Sequence, residues 1–467
     1  MTVETQNPEY NRYIDEWRKV NDCCEGQRAI KEAKDKYLRP MEGVSINERR
    51  YINYLDRAVF VNFTGRTREG LKGSLFRKDP EMDIPEGLDY LIDNADGSGE
   101  SLLSLTKDIA GEVIAKGRFC LLVDFPQMGE GITLEEQQML QPKASINRYT
   151  AENFINWNIG VIGGRKMLTM AVLCEEYDSD NDEFDYEMQK QYRVLRLKDG
   201  VYTQQVYRDD EPITEEFSPR KADGSTFDYI PLFIVGSENN DATVDVPPLA
   251  DIANVNIAHY RNSADLEENC FIHGQLTIGV TSSMSMAQFQ EANPRGITVG
   301  SMAGHFLGES GGFSTIQATE NQLADKLMER KEGQMRKLGA RMIVIGTMEN
   351  TSKTATQSKI DATGESSVLA TITDNVSEAV RTCIKWCGEF MGVDAEETVF
   401  NINKKFFDDD ANPQLLMAAI QLNDRGIIGK SDMQDLARVQ GIVKQDKTND
   451  EINDEVEVEP IPLTAES

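Results

Sequence analysis

The spacing of apolar and polar positions changes character twice along the chain. In the first sixty residues apolar side chains recur at threes and fours. PEYNRYIDEWRKVND aligns Tyr10, Ile14 and Trp17, which predicts a helix. A second helix is expected from Gln27 to Leu38, where Pro40 stops it. A third is expected across NERRYINYLDRAVFVNFT, with Tyr51, Leu55, Val59 and Phe60 on one face. Ser101 to Lys116 reads as a further amphipathic helix, closed by Gly117 and leading into FCLLVDFP, a short buried strand.

From about 150 to 240 the period becomes alternating. MLTMAVLCEEY, QYRVLRLKDGVYTQQVY and YIPLFIVG are strand-like, and the Asp-Gly pair at 199–200 predicts a tight turn. The intervening EEYDSDNDEFDYE is acidic, but it lacks the Gly and Glu spacing of a calcium loop and reads as a solvated hairpin tip. The first half is therefore expected to be α+β, helices first and then a mostly antiparallel sheet.

The second half returns to helical spacing. Asp245 is placed as a cap and Pro248 in the first turn of a helix whose stripe is Leu249, Ile252, Ala253, Ile257, Tyr260 and Ala264. A β-rich stretch follows: QLTIGV and GITVG as short strands, a small helix near SMAQFQEA, and HFLGESGGFSTIQ as a hairpin around a glycine-rich bend. Thr319 to Gln322 form a capping-box pattern opening a helix that contains Leu323 and Leu327, with Gly339 as its stop. After the polar loop IGTMENTSKTATQ comes a long helix with Leu369, Ile372, Val376, Ala379, Cys383, Cys387 and Phe390 in register. Two shorter helices, NPQLLMAAIQLNDRG and SDMQDLARVQG, precede an acidic, apolar-poor tail from Asp446, which reads as disordered.

Composition changes the picture mainly through charge. Forty-nine basic against 79 acidic residues leave a net charge of −30, which on average repels phosphate and argues against a conventional nucleic-acid grip. A length of 467 residues favours more than one lobe. No signal peptide is expected from MTVETQNPEYNRY, and no apolar run has the length of a bilayer span. The seven scattered cysteines suit a reducing compartment.

Candidate chemistry is sparse. Ser310, in HFLGESGG, resembles the surroundings of a protease nucleophile, but a serine needs a base and an orienting acid. The three histidines are His259, His273 and His305, and His305, five residues away in the same bend, is poorly placed to reach round it. Gly308, Gly311 and Gly312 are better explained by turn geometry. GRTREGLKGS at 65–74 has Leu71 where a phosphate-binding loop needs lysine, and GVIGGRKM is equally incomplete. Cys383 and Cys387 share a helix face without partners for a tetrahedral metal, and Asp408 to Asp410 read as a solvated turn. No catalytic residue, metal or cofactor is expected, and the chain does not read as an enzyme.

The order helix, β-rich excursion, helix, polar loop, long helix from Pro247 to Gly392 resembles the core of bacteriophage portal (head–tail connector) proteins. So do the strings YNRYIDEWRKVNDCCEGQRAIKEAKDKYLRP, YLDRAVFVNFTGRTREGLKGSLFRKDP, HYRNSADLE, MRKLGARM and TATQSKIDATGESSVLATITDNV. This resemblance implies an α+β portal fold with wing, stem helices, clip, tunnel loop and crown. Residues 1–246 would be the wing, 247–273 the first stem helix, 274–318 the β-rich clip and 319–339 the second stem helix. Residues 340–356 would hold the tunnel loop, 357–392 the long wing helix and 393–467 the crown and acidic tail.

The function implied is structural. A dodecameric ring at one capsid vertex, assembled in the host cytoplasm and retained in the virion, would pass double-stranded DNA during packaging and ejection. Its partners would be the terminase motor, head-completion adaptor or tail proteins, and the capsid or scaffold protein, with no membrane. Lys353, Thr354 and Lys359 would meet DNA at the tunnel-loop position; Arg295, His305, Glu309 and Ser310 would make clip contacts. Leu249, Ile252, Ile257, Tyr260, Leu323 and Leu327 would pack the stem or its subunit contacts. An acidic wall suits passage, since each neutralised phosphate adds affinity through counterion release. The rival readings are another ring-forming head–tail adaptor, typically much shorter, a serine hydrolase using Ser310, and a wholly helical scaffold, against which the alternating segments speak.

Overall fold

The computed structural model describes residues 2–126, 142–179, 187–274, 277–294, 296–297, 305–316, 323–342, 368–404, 429–439, 447–449 and 453. Two compact units emerge, Met1–Lys404 and Lys405–Ser467. In the second, helix Lys430–Val439 matches the expected SDMQDLARVQG element. NPQLLMAAIQLNDRG, Asp408 to Asp410 and nearly all of the acidic tail lie outside the described residues.

The first unit is α+β. Helix α1 (Pro8–Glu25) is capped by the Asn7 side chain and buries Tyr10, Ile14, Trp17 and Val20. The next helix, α2 (Gln27–Glu32), is shorter than its pattern suggests and gives way to a single 3-10 turn at Lys34–Lys36. The third expected helix is in fact two. Helix α3 (Arg49–Arg57) ends before Ala58, and α4 (Phe63–Leu75) restarts with Asn62 accepting from the Gly65 N–H. Tyr51 and Tyr54 are the buried face of α3, whereas Val59 is 43% exposed in the break. GRTREGLKGS thus lies within α4, which places it on a helix rather than in a phosphate-binding loop.

After a short helix α5 (Tyr90–Asp93), α6 (Leu102–Lys116) follows the sequence closely: Ser101 caps it, and Gly117 ends it at φ 73°. Strand β2 (Arg118–Asp124) then pairs antiparallel with β3 (Ser145–Thr150) on one side and β9 (Leu232–Gly236) on the other. A second antiparallel sheet runs in the order β4 (Phe154–Ile162), β5 (Arg165–Asp178), β6 (Met188–Lys198), β7 (Val201–Arg208) and β8 (Glu211–Pro212). Asp199 and Gly200 turn from β6 to β7 at φ 51° and 76°; Gly163 and Gly164 do the same between β4 and β5. Both pairs occupy the positive φ that two-residue hairpins require, which accounts for GVIGGRKM without a ligand. The acidic tip expected between β5 and β6 falls largely at 180–186, outside the described residues.

Helix α7 (Ala250–Gly274) begins the second half, followed by β10 (Thr277–Thr281), α8 (Met286–Ala292), β11 (Gly312–Ile316), α9 (Leu323–Arg341) and α10 (Val368–Met391). Strand β1 (Glu81–Asp83) pairs with β12 (Val399–Asn401). α10 buries Leu369, Ile372, Val376, Cys383, Ile384 and Cys387 against α6 and strands β2 and β9, so both cysteines are core side chains. Three expectations are corrected. Asp245 does not cap α7: its carboxylate accepts from the Glu238 N–H at 2.8 Å and holds the preceding loop. Gly339 does not stop α9, which continues to Arg341; the glycine instead makes room for Thr67, whose Cγ2 would lie 3.1 Å from a Cβ there. The strand after the glycine-rich bend is not half of a local hairpin, since β11 pairs with β10, Thr277 facing Ile316 and Thr281 facing Gly312. GITVG and the Thr319 to Gln322 capping pattern lie largely outside the described residues.

Candidate assembly interface

The root of α7 is built from its stripe. Leu249, Ile252, Ala253, Ile257, Tyr260 and Ala264 are all buried, so the chain's own helices already cover the side chains expected at subunit contacts. Burying five or six such side chains against α1, α3, α4 and α9 contributes on the order of 10 kcal/mol at about 1.5–3 kcal/mol each. Two polar residues share this face. Asn256, fully buried, accepts with Oδ1 from the Phe63 and Thr64 N–H groups and the Thr64 hydroxyl, at 3.0–3.2 Å, and donates to the Val61 carbonyl at 2.9 Å. It therefore satisfies the first donors of α4 from a different helix. His259, also fully buried, lies edge-on to the Phe63 ring, with Nε2 3.5 Å from Glu332 of α9. Burial lowers its pKa from the ordinary value, and the Glu332 carboxylate opposes that shift.

The outer part of α7 is held from α3. Tyr54 donates to Asp265 at 2.7 Å, and burial followed by that carboxylate raises the phenol's pKa. Arg57 pairs with Glu268 and stacks over the Phe271 ring, its guanidinium 4.1 Å from the centroid. On α9, Lys331 donates to the Ala258 carbonyl and Met335 is buried, fixing the C-terminal half against α7. The N-terminal half is different. Leu323 is 63% and Leu327 37% exposed, and both line an open cleft of about 390 Å³ with Met41, Tyr54, Asp265 and Glu268.

Between these helices, β10, α8, the bend and β11 form a small β-rich module. Ser285 and Gln288 close a capping box on α8. Asn293 donates to the Phe306 carbonyl and Ser282 to the Leu307 carbonyl, tying the bend to the segment before it. The positive φ expected of the bend's three glycines occurs at Gly308 (84°) and not at Gly311 or Gly312, and a Cβ at Gly308 would lie only 2.8 Å from the Ser283 hydroxyl. Glu309 and Ser310 are exposed in this turn, and His305 packs edge-on to Phe313. Met286, Phe306 and Phe313 are exposed on the same module, as are Phe271 and Ile272 at the end of α7. Arg295, Lys353, Thr354, Lys359 and most of the expected tunnel loop lie outside the described residues.

A polar cleft elsewhere, of about 570 Å³, contains Arg193 bonded to Glu175 at 2.6 Å and Asp124 at 3.3 Å, with Tyr149 donating to Glu175. Burial raises the Asp124 carboxyl, whereas at Glu175 burial is outweighed by Arg193 together with hydrogen bonds from Tyr149 and Gln191, and its carboxyl is lowered. Among the described residues no group of His, Cys, Asp and Glu could hold a metal ion, and no helix is long and apolar enough to cross a membrane. Periodicity located the apolar stripes but passed over Asn256, His259, Tyr54 and Arg57. The available signal was Asn256 and His259 at helical spacing inside an otherwise apolar face.

Residues 248–391 match a family model described as a domain of unknown function (DUF4055). No curated protein sequence matches the chain. The chain is similar in structure, at low identity, to chains of gene transfer agent particles. One comes from the "Neck of native GTA particle computed with C12 symmetry", with a TM-score of 0.41 and 13% identity over 80% of this chain and 89% of that one. Another comes from the "Virion of native gene transfer agent (GTA) particle", with a TM-score of 0.42 and 12% identity over 88% and 97%. A third comes from the "Neck of empty GTA particle computed with C6 symmetry", with a TM-score of 0.40 and 12% identity over 85% and 94%.

Proposed function

We propose that the chain is the portal subunit of a tailed-phage-type particle, closing as a dodecameric ring around a channel for double-stranded DNA. The observation that carries this reading is the out-and-back path of α7 and α9. Both are rooted in the body by buried side chains, the β-rich module between them carries exposed Met286, Phe306 and Phe313, and α9 adds Leu323 and Leu327. A lone soluble protein rarely leaves so many large apolar groups in water, and neighbouring copies would cover them. The sequence resemblance supports the same reading over nearly the whole chain.

In this reading α7 and α9 are the stem and the β10–β11 module is the clip, which docks the packaging motor and later the adaptor proteins. Lys353, Thr354 and Lys359 are assigned to the channel by the resemblance alone. The net charge of −30 suits a channel through which DNA slides, because an acidic lining adds no counterion-release affinity. Ser310 belongs to a clip turn and has no catalytic part. Electron microscopy of the purified full-length chain tests the reading. Class averages should show rings of twelve subunits around an open channel, for wild type and for Ser310→Ala alike. Compact particles without a channel, at concentrations where assembly is expected, would sink it.

A further inference from the structure

The five-stranded sheet has two edges of opposite character. Strand β4 carries no charged residue and no proline from Phe154 to Ile162, although exposed edges are ordinarily protected by such residues. The N-terminal segment covers part of it. Asn7 donates its N–H to the Ile155 carbonyl and its side-chain amide to the Trp157 carbonyl, while Asn156 donates to Thr5. These bonds reach Trp157, and most of the strand beyond it, up to Ile162, is exposed.

That uncovered stretch is also a two-stranded arm. Pairing of β5 with β6 begins at Met170 with Arg196, so Ile159 to Arg165 and their partners stand beyond the rest of the sheet. Ile159, Val161 and Ile162 are 38%, 70% and 38% exposed on a ribbon that alone is at best marginally stable in water. Arg165 and Lys166 sit exposed at its tip, and no carboxylate occurs between Glu152 and Glu175. In a chain of net charge −30, this is a locally basic, apolar projection.

The opposite edge is its complement. Residues 209–216, around β8, are all exposed; they hold Asp209, Asp210, Glu211, Glu215 and Glu216 with no basic residue in the stretch, although Lys198 of β6 already pairs with Glu216 at 2.7 Å. Ile213, 45% exposed, lies among these carboxylates. A surface that differs from its complement on the same molecule makes head-to-tail contacts, which form a ring where the rotation between copies closes, rather than a two-fold dimer.

We propose that the β4–β5 arm of one copy docks on the acidic β8 edge of the next copy, Val161 meeting the Ile213 region and Arg165 and Lys166 meeting the carboxylates. The inference rests on the ring reading, to which it adds a contact outside the stem and clip. It is tested with two full-length charge-reversed variants, Arg165→Glu/Lys166→Glu and Glu211→Lys/Glu215→Lys, in sedimentation velocity at low salt, with circular dichroism as the fold check. Each alone should self-associate about tenfold more weakly than wild type. Their equimolar mixture should regain assembly, because each then meets an opposite charge. Val161→Ser, which changes no charge, should also weaken wild-type association but should not be rescued by mixing with either charge variant. Folded variants that assemble as wild type does would overturn the arm contact while leaving the ring intact. A wild-type chain that does not self-associate would overturn the ring reading itself.

Discussion

Asn256 offers the sharpest test of how α7 is rooted. Its Oδ1 is a shared acceptor for three donors of the α4 start, and its amide occupies the Val61 carbonyl. Asn256→Ala leaves the fully buried Thr64, with both its N–H and hydroxyl, facing an apolar methyl. Each buried polar group left unmatched costs about 1–3 kcal/mol, and relaxation or water recovers part of that. Counting two groups as unrecovered gives a loss of about 3 kcal/mol. Asn254→Ala is the control, since Asn254 is exposed and accepts only from Lys19 at 2.9 Å; it should cost under about 0.5 kcal/mol. Urea unfolding followed by tryptophan fluorescence, at one fixed chain concentration because assembly adds to stability, measures the difference. If both variants unfold at the same urea concentration, the α4 start does not depend on α7 and α7 is rooted by apolar contact alone.

Three further outcomes follow from named contacts. Burial keeps His259 neutral, so below about pH 6.5 the unfolded histidine takes up a proton that the folded one resists, and stability present above that pH is lost as it falls. Hydrogen-exchange protection of α9 should therefore drop between about pH 7 and pH 5.5, and His259→Gln should remove the pH dependence; unchanged wild-type protection would contradict this. Leu327→Ser, on a side chain left 37% exposed beside Asp265 and Glu268, should lower the thermal unfolding of the dissociated subunit only slightly while lowering ring yield about tenfold or more; undiminished rings would place α9 away from subunit contacts. Gly117→Ala, at φ 73° with the Ser237 hydroxyl and Val246 carbonyl 3.1 Å from the new Cβ, should cost more than about 1 kcal/mol; calorimetry showing no drop in melting temperature would mean that the turn relaxes freely.

What the sequence disclosed divides along the range of the forces involved. The ends of α6 were legible because Ser101 and Gly117 act within one turn of the helix they bound, and the Asp199–Gly200 turn because its φ angles demand those residues. The break between α3 and α4 was not. It is held by Asn256 and Ser263, which approach Phe63, Thr64 and Val59 from almost two hundred residues away. Gly339 misled for a related reason, since a glycine that reads locally as a stop can instead make room for Thr67 of another helix. The β11 partner was missed because proximity favours the bend's own neighbours, whereas the register joins Thr277–Thr281 to Gly312–Ile316.

The same limit governs the candidate interface. The stripes of α7 and α9 both recur at threes and fours, and that period reports only that a face avoids water. Leu249 to Tyr260 meet that need inside the chain, where α1, α3 and α4 converge on one helix face. Leu323 and Leu327 border an open cleft with α7, Tyr54 and Met41, and stay 63% and 37% exposed. Which side chains can serve a neighbouring copy is thus decided by how many helices crowd each stripe, a property of packing that spacing alone does not carry. Of the helices that would form the stem, it is therefore the outer half of α9 that offers open side chains to a neighbouring copy, and the inner half of α7 is its anchor.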